Sequence, residues 1–260
     1  MAATRAQLFC VPKRGLDLAR MEDVAWMGGG SASDFPRRFA ISDGATEAIF
    51  SRLWATTLTR ALGRGELDDF SPRALEPARR IFRSAVAERL SRMRAGGGVP
   101  WYVDEKLVQG SFATLLGLRL EAKGRFEAVA VGDSCLVQVD AEGQVRARFP
   151  LASPDEFGTR PALVGSDPAR DAMLVGEVRR FSGTFARGDT FFLMTDAFAA
   201  WFYAGADARW RPWLAFDELD PARAADREKF TELVEVSRDD GEMRNDDVLV
   251  LRVRAGESAR

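Results

Sequence analysis

Three acidic turns, far apart in the chain, each set a carboxylate against an apolar, strand-like run: FAISDGATEA at Asp43, FFLMTDAFAAWF at Asp196, and RNDDVLVLRV at Asp246 and Asp247. An aspartate at the tip of a buried strand loses hydration that a cation or hydrogen-bond donors must replace. The chain has no histidine and only two cysteines, so a cation shared by these tips would be held by oxygen alone. That donor set suits a hard ion such as Mg²⁺ or Mn²⁺ and argues against zinc. Glu22-Asp23 adds a fourth acidic point, and Asp133, in the tight turn AVGDSC, a fifth. Gly44 leaves its carbonyl room to approach an ion. Two metals bridged by a carboxylate could lower the pKa of a shared water and set it against phosphorus without a nucleophilic side chain. Each turn also has a plainer reading. Asp133 could bond its own hairpin, and Asp43 and Asp196 could cap the helices that follow. Asp68-Asp69 and Asp239-Asp240 read as solvated loop acids.

The elements that must position these residues can be read from pattern. QLFCVPKRG and EDVAWMGGGSASDFPRRFAISDG read as strands around a Gly/Ser/Pro hairpin loop at Gly28 to Pro36. Helical spacing follows, with Ala48, Ile49, Leu53, Trp54, Thr57, Leu58 and Leu62 on one face. A second helix is expected from Pro72 to Met93, with Leu75, Ala78, Ile81, Phe82, Ala85, Val86 and Leu90 inward. From Gln109 the pattern turns to strands separated at Lys123-Gly124, Gly132-Asp133 and Glu142-Gly143, which predicts an antiparallel meander. Residues 152–183 read as a long irregular loop of the lid or flap kind. DTFFLMTD is a strand buried on both faces, a helix carries Phe198, Trp201 and Phe202, Arg223 to Val236 is helical, and DDVLVLRVR closes the chain as a strand. Hairpin connections with interleaved helices favour antiparallel sheets covered by helices, in one domain spanning 1–260.

Composition sets the outer limits. At 260 residues, 46% hydrophobic and 29% charged, the chain can bury a large core. A formal net charge of −2, with arginines scattered among acids, argues against nucleic acid as a partner. Cys10 and Cys135 sit in apolar runs and read as small buried hydrophobes. No segment has secretory or membrane-spanning length, so the expectation is a cytoplasmic protein with no membrane partner.

The order of these motifs resembles the type 2C family of metal-dependent serine/threonine protein phosphatases. The family's series is Glu-Asp, Asp-Gly after a strand, Gly-Ser-x-Ala-Thr, Gly-Asp-Ser, Thr-Asp-Gly and a C-terminal Asp-Asn/Asp pair. This chain has Glu22-Asp23, Asp43-Gly44, Gly110-Ser111-Phe112-Ala113-Thr114, Gly132-Asp133-Ser134, Thr195-Asp196 and Asp246-Asp247. ISDGATEAIFSRLWA is similar to a bacterial branch of the family. The resemblance implies a four-layer α-β-β-α sandwich, an α+β fold with two antiparallel sheets face to face and helices outside. It implies two Mn²⁺ or Mg²⁺ ions, with a third, weaker site. Asp43 would bridge the ions and the Gly44 carbonyl would bind one of them. Asp196 and Asp246 would complete the second site, Glu22 would act on the first, and Asp133 with Asp196 would match the third. Segment 152–183 corresponds to the family's flap. The implied substrate is a phosphorylated protein in a serine/threonine kinase pathway.

Some positions depart from the family pattern. The phosphate-binding arginine is expected five residues before Asp23, where Leu18 stands. Arg20, three before, shares that strand face and is the substitute, with Arg14 next. Ala45 stands where eukaryotic members have a histidine, Ala197 replaces a glycine that follows Asp196, and Leu249 replaces a threonine. Two other readings stay open on the sequence: a catalytically weak or inactive phosphatase-like module that binds a phosphoprotein or partner, and a two-metal hydrolase of another kind such as a nuclease.

Overall fold

Two five-stranded antiparallel sheets carry the fold in the computed structural model, which describes residues 3–28, 35–46, 48–67, 69–98, 100–158 and 160–257. The first sheet has the order β1 (Ala3–Val11), β12 (Val248–Glu257), β11 (Thr190–Met194), β7 (Cys135–Val139), β8 (Val145–Phe149). The second has β10 (Arg179–Thr184), β6 (Arg125–Val131), β5 (Leu115–Glu121), β3 (Arg37–Ser42), β2 (Val24–Met27). A short ladder joins β4 (Phe112–Ala113) to β9 (Val164–Gly165). Between the sheets, Phe39, Leu118 and Phe126 meet Phe191, Leu193 and Leu251.

Helices α1 (Ser51–Arg64) and α2 (Pro72–Ala95) cover the outer face of the second sheet, where Trp54, Leu58 and Phe82 pack on Leu115 and Val131. Helices α4 (Asp196–Asp207) and α5 (Ala224–Asp239) cover the first, where Phe198, Phe202 and Phe230 meet Phe192 and Val250. This is the expected α-β-β-α sandwich. The strand TFFLM is almost wholly apolar because both of its faces are covered, and each such large side chain contributes about 1.5–3 kcal/mol on burial.

Several local expectations are corrected. Helix α1 begins at Ser51 rather than before Ala48, because Phe50 adopts a left-handed conformation (φ 57°, ψ 25°) at its cap. In α2, Ile81 points outward at 58% exposure while the guanidinium of Arg79 is buried, bonded to Asp171 (3.0 Å) and the Gly165 carbonyl (3.1 Å). Helix α3 (Trp101–Gln109) was not foreseen. The meander breaks at Gly132-Asp133: β6 and β7 do not pair, and the chain crosses from one sheet to the other there. Segment 152–183 contains short 3₁₀ turns at Pro154–Glu156 and Pro168–Leu174 together with β9, and its last residues, 179–183, belong to β10. Cys135 is buried as expected and Cys10 half-buried, both as free thiols. Most of the predicted 28–36 hairpin loop, and Asp68, lie outside the described residues.

Candidate metal centre

A chain of hydrogen bonds locks three of the sequence motifs together. The Asp43 amide donates to Thr114 Oγ1 (3.0 Å), and the Thr114 amide donates to the Asp43 carbonyl (2.9 Å). Thr114 Oγ1 in turn lies 2.8 Å from Ser134 Oγ. Gly-Ser-Phe-Ala-Thr therefore holds the Asp43 loop on one side and the Gly-Asp-Ser turn on the other. Gly132 has φ +100°, and a Cβ there would lie 2.9 Å from the Ala162 carbonyl and 2.7 Å from Thr114 Cγ2. Only glycine allows the sheet crossing that delivers Asp133. Gly44 bridges to Ala113 and lies against Ser51 at the start of α1.

The C-terminal pair divides its work. Asp247 accepts from the Lys13 amide (2.8 Å) and the Glu22 amide (2.6 Å), tying two N-terminal segments to the start of β12. Asp246 is left for the site. Buried Arg238 donates to the Asp246 carbonyl (2.5 Å) and the Pro12 carbonyl (3.2 Å), bracing the same junction. Thr195 exchanges bonds with Leu249, its hydroxyl accepting from the Leu249 amide (3.0 Å), and this sets Asp196 at the first position of α4.

The carboxylates gathered at this end of the sandwich act on one another. Burial raises Asp43 well above the ordinary carboxylate range, with the charge of Asp196 adding to it and those of Asp133 and Asp246 contributing. Burial likewise raises Asp23, and Asp43 beside it raises it further. Asp133 is pushed up to about 7 by burial and then by Asp196. Asp196 is raised by burial, Arg244 opposing and Asp246 adding. Glu22 is raised by burial, against hydrogen bonds from Ser51 and Thr46. Both oxygens of Asp23 and both of Asp133 are buried without a hydrogen-bond partner. Like charges in low dielectric, with orphaned oxygens, favour a cation among them, and an all-oxygen set suits a hard one. As they stand, no three of the described carboxylates close around an ion-sized point.

Two cations of the chain itself reach the cluster. Arg244 donates to Asp196 Oδ2 at 2.5 Å, and Lys13 Nζ lies 3.7 Å from Asp246 Oδ1. Arg20 sits exposed on the preceding turn, its amide bonded to Asp17 (3.0 Å). Arg14 is engaged elsewhere, with Glu235 (2.5 Å) and Asp239 (2.6 Å).

Known proteins converge on one family. The model of the protein phosphatase 2C family matches residues 30–245. The chain belongs to the protein phosphatase 2C family. It is therefore a metal-dependent serine/threonine phosphatase. The fold is similar to that of the photosystem II phosphatase PBCP, at 15% identity and TM-score 0.62, covering 97% of this chain and 98% of that one. It is also similar to the Mycobacterium tuberculosis serine/threonine phosphatase PstP/Ppp (17%, TM-score 0.57, 99% and 100% covered). A third likeness is to the catalytic domain of PstP in complex with two manganese ions (18%, TM-score 0.55, 98% and 99% covered). No curated protein matches this chain.

Within the phosphatase 2C frame, the departures are explicable. Ala197 lies in the first turn of α4 without a positive φ, so a glycine is not needed there. Leu249 points between the sheets, and its backbone alone bonds Thr195. Sequence reasoning named Asp23 and Asp247 within their acidic pairs without giving either a role of its own, and it passed over Lys13 and Arg244. Nothing local distinguishes Arg244 from the many other arginines.

Proposed function

We propose that this phosphatase 2C member hydrolyses phosphoserine and phosphothreonine in bacterial proteins, using two Mn²⁺ or Mg²⁺ ions and a third, weaker site. Glu22, Asp43, the Gly44 carbonyl, Asp133, Asp196 and Asp246 are the proposed metal donors, with Asp43, Asp196 and Asp246 at the catalytic core. Bound among them, the ions supply charge neutralisation on phosphate oxygens and a water acidic enough to attack phosphorus at neutral pH. Asp23, buried beside Asp43, adds its negative charge there and strengthens the site's preference for cations. The phosphate is held by cations of the Lys13–Arg20 segment and by Arg244, whose guanidinium fork fits phosphate as well as it fits Asp196. No imidazole is available to protonate the leaving alkoxide, so that proton comes from solvent.

The observation that carries this reading is the convergence of Asp23, Asp43, Asp133 and Asp196 at one end of the sandwich, each raised by burial and two with orphaned oxygens. The proposal extends to a single domain over 1–260, with 152–183 as a flap, acting in the cytoplasm opposite a serine/threonine kinase. Among the described residues, no helix is long and apolar enough to cross a membrane. Purified protein is expected to release phosphate from a phosphothreonine peptide only with Mn²⁺ or Mg²⁺. Turnover that persists in EDTA and in Asp43→Asn would overturn the proposed donor set.

A further inference from the structure

The outer face of the second sheet is covered unevenly. Near the acids, Leu115 and Val131 lie beneath α1 and α2. Further along the same strands, a cavity of about 390 Å³ opens between the sheet, the last turn of α1 and the loop after it. Its apolar wall is Leu62, Leu67, Gly117 and Val129, and its polar groups are Arg38, Arg119, Arg180 and Glu127. That size and mixture, an apolar wall with a few fixed polar groups, is what small-molecule sites present. Arg38 stands five residues before Asp43, roughly 16 Å along an extended strand, so the cavity is separate from the metal centre.

The charges here are unevenly paired. Arg38 and Arg119 are direct cross-strand partners on β3 and β5, and like charges so placed repel. Arg119 is answered by Glu121 and Glu127, both at 3.3 Å, and Asp69 faces Arg180. Arg38 makes no ion pair among the described residues. Its guanidinium lies close to Gly65, where a Cβ would come within 2.9 Å of Cζ, which places it at the cavity's edge. Arg119 Nε is buried with no acceptor. A guanidinium with no ion pair among the described residues, an N–H with no acceptor and an apolar wall converge on one ligand chemistry.

We propose that this cavity binds a small amphipathic anion, an acyl or aromatic body ending in one carboxylate, sulfonate or phosphate group. The head group lies between Arg38 and Arg119, accepting from both, with Arg180 across the mouth. The body lies along Leu62, Leu67 and Val129.

The probe is 1-anilinonaphthalene-8-sulfonate, titrated into the full chain by fluorescence, with calorimetry for stoichiometry. One saturable site is expected. Arg38→Gln should weaken it about tenfold, as for loss of a charge-assisted hydrogen bond, and Arg180→Gln about threefold. Asp43→Asn should leave it unchanged. Dodecanoate and dodecyl phosphate should displace the probe, the stronger of the two naming the head group, and dodecanol should not. Any of four results would overturn the proposal: no saturable binding, wild-type affinity in both arginine variants, displacement by dodecanol, or loss of the probe in Asp43→Asn. Should Arg38→Gln not fold, Arg180→Gln decides alone. Because binding is read directly, the outcome is independent of whether the metal donors are assigned correctly.

Discussion

Strands β7 and β11 run antiparallel side by side, and each has an aspartate just beyond both of its ends. Asp133 and Asp196 stand at one end, Asp140 and Asp189 at the other. Asp133 and Asp189 are equally buried, at 5% exposure each. Asp189 accepts from Gln138 Nε2 (2.8 Å) and the Ala186 amide (3.1 Å). Asp140 accepts from the amides of Glu142 (3.1 Å) and Gln144 (2.7 Å) and pairs with Arg146 (3.2 Å). Asp133 has neither oxygen bonded, and its strongest charged neighbour is another aspartate, Asp196. Asp133 and Asp189 are buried alike, but only Asp189 receives donors; at the other end Arg244 and the Ala197 amide donate to Asp196 and leave Asp133 unbonded. A buried carboxylate that the fold satisfies is structural, and one that the fold leaves to repel its neighbours is waiting for a ligand.

The largest expected break in this contrast is catalytic. Asp43→Asn should lower Mn²⁺-dependent turnover of a phosphothreonine peptide by about a thousandfold or more, on the scale of losing a principal electrostatic stabiliser of the transition state. Asp189→Asn, measured in the same assay, should stay within about threefold of wild type, since only structural bonds change.

Stability should run the other way. Asp189→Ala leaves Gln138 Nε2 and the Ala186 amide without their acceptor, a cost of about 1–3 kcal/mol in urea denaturation. Asp133→Asn removes a repelling charge, so the metal-free protein should become more stable, and a lower urea midpoint would contradict the electrostatic account.

The pH dependence of the metal-free chain sharpens the same point. Asp133 titrates near 7 when folded, against about 4 in an unfolded chain. The folded state holds the extra proton between those values, so stability contributed by this group is present below pH 4 and lost as pH rises through 7. Thermal melts of the EDTA-treated protein should therefore fall between pH 5 and 8, and the fall should be smaller in Asp133→Asn. Added Mn²⁺ should reverse it at pH 8.

The smallest effect separates the cations. Lys13→Met should raise KM for the phosphopeptide about tenfold, by removing a charged hydrogen-bond donor beside Asp246, and Arg20→Ala about twofold. The reverse ranking would make Arg20 the phosphate anchor.

Much of this was legible from residue order. The apolar run TFFLM announced a strand buried on both faces and VLVLRV a closing strand, and the acids at their ends announced a site because charge at such a place needs an answer. The Gly-Ser-Phe-Ala-Thr segment was legible as a motif, but not its task of joining Asp43 to Ser134 through one hydroxyl. Ile81 was read as inward because its spacing is helical. The fold instead buries Arg79, since Asp171 and the Gly165 carbonyl are there to receive it. Those partners lie 92 and 86 residues away, beyond any local pattern.

The amino-acid sequence alone determined the donor chemistry: with no histidine, an oxygen-only site for a hard cation, carried by motifs in a fixed order. It also determined antiparallel sheets under helices, because periodicity and turn residues act over a few positions. Only the tertiary structure decided that Gly132-Asp133 crosses between sheets instead of closing a hairpin. The two turns use the same residues, and the difference lies in which distant strand each neighbour pairs with. That crossing is what brings Asp133 beside Asp196 and leaves it unsatisfied. It likewise decided that Asp23 is buried against Asp43 and that Arg244 reaches Asp196. Burial and through-space charge depend on contacts between segments tens to hundreds of residues apart.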